Sequence, residues 1–232
     1  MAGSAPRRLL VFLHGAGSSA EAFVPVALAW QLKFPGAAAM VLSGLDPLPG
    51  QEGRANWYPP PGGHYEALVE RVGAAASEVA RRINVLQAET GLGRADTVLV
   101  GHDQGAIVAL DLARRFPQAG AIVVAYGGRL ARPVGPGETI EPTIHLIHGE
   151  LDSIEPAVHA ERALRHLQAA GADVSLDIAI DEAHGIGQAL VSLGTTRVMQ
   201  TLFRGRRPRS PAAGGSPSSS SFPFSHSSET LQ

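Results

Sequence analysis

Val98-Leu99-Val100-Gly101-His102-Asp103-Gln104-Gly105-Ala106 is the stretch whose reading decides the fold. A short apolar run enters a Gly-x-x-x-Gly turn, and the turn opens directly into a helical pattern over residues 106–115. Small residues flanking a tight strand-to-helix turn are the build of a nucleophile elbow, which lifts one side chain above the edge of a sheet. The lifted residue is Asp103, a carboxylate where such a turn leads one to expect a serine. Asp103 either attacks substrate itself or marks a site that has lost its nucleophile.

Outward from the elbow, apolar runs of strand length alternate with helical patterns. Strands are expected over 8–13, 38–42, 97–100, 120–125, 143–148 and 174–180, and helices over 21–34, 65–89, 104–115, 156–169 and 186–203. The strand runs are short and continuously apolar, as strands covered on both faces are. This order predicts an α/β fold with a mainly parallel twisted sheet flanked by helices and without a full cap domain. Residues 44–63 break the alternation with five prolines and five glycines around Asn56-Trp57-Tyr58. They read as a long loop over one end of the sheet, with Trp57 and Tyr58 as a substrate-binding pocket wall.

Composition bounds the remaining possibilities. A chain of 232 residues suits one domain, expected over 1–203. The segment 204–232, rich in Arg and then in Ser and Pro, reads as a disordered tail. The absence of cysteine excludes disulfides, thiol catalysis and cysteine-ligated zinc. The opening residues lack the pattern of a signal peptide and no run is long enough to span a bilayer, so a cytoplasmic location with no membrane partner is expected. The net charge of −2 gives no electrostatic case for a nucleic-acid partner, and a monomer or homodimer is expected.

Three further segments supply chemistry at the predicted C-terminal ends of strands, where α/β folds place ligands. Leu13-His14-Gly15-Ala16-Gly17 follows the first strand, and its glycines let backbone amides approach a substrate oxygen. The Ala16 amide and that of Gln104 are the expected oxyanion hole. His148-Gly149-Glu150-Leu151-Asp152 offers Asp152 as an orienting acid, and Asp181-Glu182-Ala183-His184 offers His184 as a base. Taken singly, each has a plainer reading: a glycine-rich turn, a helix cap, a solvated loop histidine. Ser18, Ser19 and Ser43 lie near predicted strand ends, but none sits in an elbow. Asp103, His102 and His184 have the residue types of a metal site without a recognised ligand spacing, so no metal and no cofactor is expected.

The chain order nucleophile, acid, histidine is that of α/β-hydrolases, with spacings of roughly 50 and then roughly 30 residues that suit the intervening strands. On Leu13–Gly17, on Gly101–Ala106, on Thr143–Gly149 followed by Asp152, and on the run 173–178 leading to His184, the chain resembles the small bacterial carboxylesterases, phospholipases and thioesterases of that superfamily. The likeness covers roughly residues 8–203 and implies a catalytic set of Asp103, Asp152 and His184 acting on a small-molecule ester. Those esterases carry serine in the elbow, whereas here Asp103 precedes the retained Gln104. Haloalkane and fluoroacetate dehalogenases and epoxide hydrolases use aspartate there, often as Gly-His-Asp-x-Gly, the string at 101–105, which implies an alkyl substrate. A third reading is a catalytically impaired scaffold that binds a small ligand or protein.

Overall fold

The computed structural model describes residues 5–59 and 65–204. Its strands are β1 (Arg8–Leu13), β2 (Ser18–Ser19), β3 (Ala37–Leu42), β4 (Asp46–Pro47), β5 (Arg54–Asn56), β6 (Thr97–His102), β7 (Ile122–Tyr126), β8 (Thr143–Gly149) and β9 (Val174–Ala179). Its α-helices are α1 (Ala20–Lys33), α2 (Tyr65–Thr90), α3 (Gln104–Arg115), α4 (Val158–Ala169) and α5 (Gln188–Arg204). Six strands pair in the order β3-β1-β6-β7-β8-β9, and every pairing is parallel. From β1 the chain crosses to β3 on one side, and from β6 it proceeds to β7 on the other. The order therefore reverses between β1 and β6, which opens a crevice at their C-terminal ends.

Period-two alternation decides which residues meet which layer. Leu9, Val11 and Leu13 of β1 join Leu99, Val123, Ala125, Ile144 and Leu146 in a core shared with Val72, Val79 and Ile83 of α2 and with α3. Leu10 and Phe12 face the other way, with Val100 and Val124, onto Phe23 and Trp30 of α1 and Leu190 and Val198 of α5. Both faces of the sheet are thus covered, which accounts for the apolar runs of β1, β6 and β7. The edge strand β9 instead alternates through Ser175 and Asp177 and is only partly buried, contrary to the expected continuous apolar run. The expected elements are all present, with ends moved by a few residues.

Residues 44–63 depart from the expected open loop. Over its described part this segment forms β4 and β5, which pair antiparallel with each other and with β2 in a three-stranded sheet beside the crevice. Strands of two and three residues in a Pro/Gly-rich stretch carry too little side-chain pattern to be seen in sequence. Arg204, expected to open a disordered tail, is the last residue of α5. The rest of that segment lies outside the described residues, as do residues 60–64 of the loop. Among the described residues no helix is long and apolar enough to cross a membrane.

A buried histidine ties β8, β9 and α5 together. His145 Nδ1 lies 2.8 Å from Ser175 Oγ and its Nε2 lies 3.0 Å from Thr201 Oγ1. Burial pulls its pKa down to about 4, and burial does the same to His148. An unfolded histidine takes its proton near pH 6.5, so the fold favours the neutral rings. Their stabilising contribution is complete above about pH 6.5 and is lost as pH falls through about 4. The urea midpoint should therefore drop across that window, with a shallower pH slope in His145→Gln. Equal slopes for the two proteins would contradict this role of His145.

Candidate active site

The elbow is held by close backbone packing. Asp103 adopts φ 50° and ψ −119°, a left-handed conformation that costs a side-chain-bearing residue on the order of 1–3 kcal/mol. Its amide donates to the Tyr126 carbonyl at 3.0 Å, and its carbonyl accepts the Ile107 amide of α3 at 3.0 Å. A Cβ on Gly101 would collide with the Gly105 carbonyl, and one on Gly105 would collide with the Leu13 and His14 carbonyls. Both glycines are thus required for α3 to begin directly against the ends of β6 and β1.

The Ala16 amide donates to Asp103 Oδ2 at 2.8 Å. One expected oxyanion donor therefore already holds a carboxylate oxygen, while the Gln104 amide sits one residue past Asp103 at the start of α3. The Gln104 side chain instead reaches back, where its Oε1 accepts the Trp57 amide at 3.0 Å.

His184 Nδ1 lies 2.8 Å from Asp152 Oδ2. Asp152 also accepts the amides of Ile154 and Glu155 at 3.0 and 2.9 Å through Oδ1, so its carboxylate is fixed in orientation. The Asp152 side chain is 1% exposed and that of His184 18%. With an ionised Asp152, the Nδ1–H of His184 donates to it and the Nε2 lone pair is left for a proton. No hydrogen bond joins His184 directly to Asp103 among the described residues. His102, between them in the sequence of contacts, lies 2.7 Å through Nε2 from the His184 carbonyl, and its ring sits 4.8 Å from that of His184 and stacks on Phe23. Burial lowers the His102 pKa, so a neutral ring with Nε2–H donating to the carbonyl fits this contact.

Trp57 and Tyr58 border a pocket together with Leu45 and Asp46 while their rings are mostly buried. Trp57 and Tyr58 are 1% and 3% exposed and belong to the main apolar core. Trp57 Nε1–H donates to the His14 carbonyl at 2.7 Å, and the indole lies 5.2 Å from the His14 ring. The Trp57 side chain is therefore a brace under the β1 loop, because its polar N–H and apolar ring are both satisfied only by facing inward. The Tyr58 ring is buried as well, which raises the pKa of its hydroxyl; the charges of Arg129 and Asp103 both reach that hydroxyl. Asn56 likewise faces inward and accepts the Gly17 amide at 2.8 Å through Oδ1. His14 accepts the Gly44 amide through Nε2 at 3.1 Å, so its Nδ1 carries the proton and donates to the Gly15 carbonyl at 2.8 Å. Burial lowers its pKa, in keeping with a neutral ring.

Ser19 has a structural task, accepting the Ala22 amide at 3.1 Å as the N-cap of α1. Among the described residues no group of three or more His, Cys, Asp or Glu could hold a metal ion. Sequence reasoning missed Gly127, Arg129 and Glu155. Gly127 has φ 51°, and a Cβ there would lie 3.1 Å from Asp152 Oδ2 and 3.5 Å from the His184 ring. Buried Glu155 pairs with Arg129, and its amide is one of the two that fix Asp152. The Gly127-Gly128 pair at the end of a strand was the one signal available in the sequence.

A parallel sheet with this elbow at its reversal point, and an acid–histidine pair from the loops after β8 and β9, defines an α/β-hydrolase. A model of the phospholipase/carboxylesterase family matches residues 2–193, and the chain belongs to that family and is a hydrolase. It is 30% identical over 196 residues to esterase YpfH of Escherichia coli (strain K12), covering 84% of each chain. The crystal structure of esterase PE8 superimposes with a TM-score of 0.77 at 30% identity, over 84% of this chain and 93% of that one. The Bacillus cereus carboxylesterase has a TM-score of 0.69 at 18% identity, over 84% and 88% of the two chains, a likeness of fold.

Replacing Trp57 by Phe keeps a ring in place but removes the donor to His14. The cost should be about 1–3 kcal/mol, read as a lower urea midpoint. Unchanged stability would contradict the bracing role.

Proposed function

We propose that this chain hydrolyses small-molecule carboxylic esters, with Asp103 at the nucleophile position, His184 as general base, Asp152 as its orienting acid and the Ala16 and Gln104 amides as oxyanion donors. The observation that carries the reading is convergence. The Ala16 amide holds the one strained residue of the elbow, and the His184–Asp152 pair packs against the adjoining His102. Family membership supplies the ester, as does the likeness to proteins described as esterases.

The carboxylate changes the chemistry expected of such a site. An ionised aspartate needs no base to activate it, so His184 is free to act on water. The absence of a direct Asp103–His184 hydrogen bond agrees with that division of labour. In ester hydrolysis, however, the substrate carbonyl must take the Ala16 amide from Asp103 before that donor can stabilise its oxyanion. Asp103 is therefore a competitor as well as a neighbour, and ester turnover is expected to be slow.

The same contact favours a second reading. With Oδ2 on the Ala16 amide, Oδ1 is the oxygen left to attack an alkyl carbon, and the leaving group departs with its bonding pair. His184 takes a proton from water as that water attacks the Asp103 carboxyl carbon of the resulting ester. The Ala16 amide holds the oxyanion, and collapse releases the alcohol, which takes the proton from His184. Asp103 then retains one oxygen from water.

Two measurements test these readings. Hydrolysis of p-nitrophenyl acetate and butyrate should be lost in His184→Ala and fall about 10²-fold or more in Asp152→Asn. Turnover that survives His184→Ala would overturn the assignment of the base. Turnover in oxygen-18 water should label the peptide containing Asp103 if a covalent aspartyl ester is hydrolysed at its own carbon. Unlabelled Asp103 after many verified turnovers would exclude that step.

A further inference from the structure

A groove of about 500 Å³ runs from the loop after β7 to α4. Its apolar lining comes from Tyr65, Leu68, Leu130, Ala131, Pro133 and Ala163. Its polar lining is Arg129, Arg132, Arg162, His159 and His166, with no carboxylate among the lining residues. Two of the arginines are balanced from behind the wall: Arg129 pairs with Glu155, and Arg132 pairs with Glu138 at 3.1 Å. Glu138 is shared with buried Arg114, so Arg132 does not hold that carboxylate alone. Arg162, exposed on α4, has no ion pair among the described residues.

One wall of the groove, Arg129, is tied to the acid–histidine pair. Arg129 lies two residues beyond Gly127, whose backbone packs against Asp152 and His184. Glu155, the partner of Arg129, gives its amide to Asp152. Arg129 and Arg162 both line this groove, so the wall that starts beside the acid–histidine pair ends at Arg162. Burial and these two arginines lower the His159 pKa, which leaves the arginines as the fixed cations.

We propose that this groove binds an anionic arm of the substrate: an apolar stem leaves the reacting centre past Leu130 and Ala131, and a carboxylate or phosphate at its far end meets Arg162. The inference rests on the hydrolase reading above and names its substrate class as acidic, amphiphilic small molecules. Arg162 is the cation with least to lose on binding, because no carboxylate must first be displaced from it. An arginine fork also suits both carboxylate and phosphate oxygens.

Binding tests this without requiring turnover, so it stands or falls separately from the hydrolytic mechanism. Isothermal titration would compare monomethyl adipate with dimethyl adipate, and hexyl phosphate with 1-hexanol. Each anion should bind at least about ten-fold more tightly than its neutral partner, with the advantage shrinking as salt rises. Arg162→Gln, a substitution neutral to helix formation, should weaken the anions about ten-fold and leave the neutral probes unchanged, while Arg162→Lys should restore most of the loss. Tighter binding of hexyl phosphate assigns the arm to a phosphate, and tighter binding of monomethyl adipate to a carboxylate; either upholds the groove as an anion site. Equal binding of charged and neutral probes, or anion binding indifferent to Arg162→Gln, would overturn it.

Discussion

The close approach of α3 to the ends of β1 and β6 is the constraint on which the site depends. Parallel pairing sets β1 beside β6, and two glycines let the helix begin directly on the β1 carbonyls. The residue between them is forced into a left-handed conformation and projects into the crevice where the strand order reverses. Backbone strain of this kind persists only when its surroundings over-determine it. Here the Asp103 amide is held by Tyr126 and its carbonyl by Ile107, so its Cα–Cβ bond has one direction in which to point.

Around that fixed point the protein arranges two supports of different character. The β1 loop is held from below by polar contacts among buried groups, with His14, Asn56, Trp57 and Gln104 exchanging hydrogen bonds with backbone. These contacts place the Ala16 amide. The acid–histidine pair is held instead by charge and burial: Asp152 is fixed by two amides, and one of those amides belongs to the glutamate that Arg129 neutralises. Asp103 is held by the first support, and the second packs against its neighbour His102. A carboxylate there satisfies the Ala16 amide, and in doing so occupies a donor that ester chemistry requires for the substrate.

The sheet and the elbow were legible in the sequence, as were the places of the candidate residues Asp103 and Asp152 after apolar runs of strand length. The strand before His184 alternates through Ser175 and Asp177 and was legible only from its place in the order. What the sequence could not carry was long-range. The strands β4 and β5 depend on pairing with each other and with β2 rather than on their own pattern. Trp57 in a loop read as a pocket wall, and neither its packing in the apolar core nor its bond to the His14 carbonyl has a local sequence signal. Arg129 and Glu155 have no sequence relation that predicts their pairing, yet that pair couples the support of Asp152 to the wall of the neighbouring groove.

The central claim is that an esterase-like site is assembled around Asp103, and that its carboxylate competes with substrate for the Ala16 amide. The most direct measurement is hydrolysis of p-nitrophenyl acetate by Asp103→Ser beside the protein with Asp103, both with and without His184→Ala. A serine there can use His184 and leaves the Ala16 amide to the substrate carbonyl, so kcat/KM should rise about 10²-fold or more, with the gain abolished by His184→Ala. A serine variant that folds and binds as before but gains nothing would contradict the account.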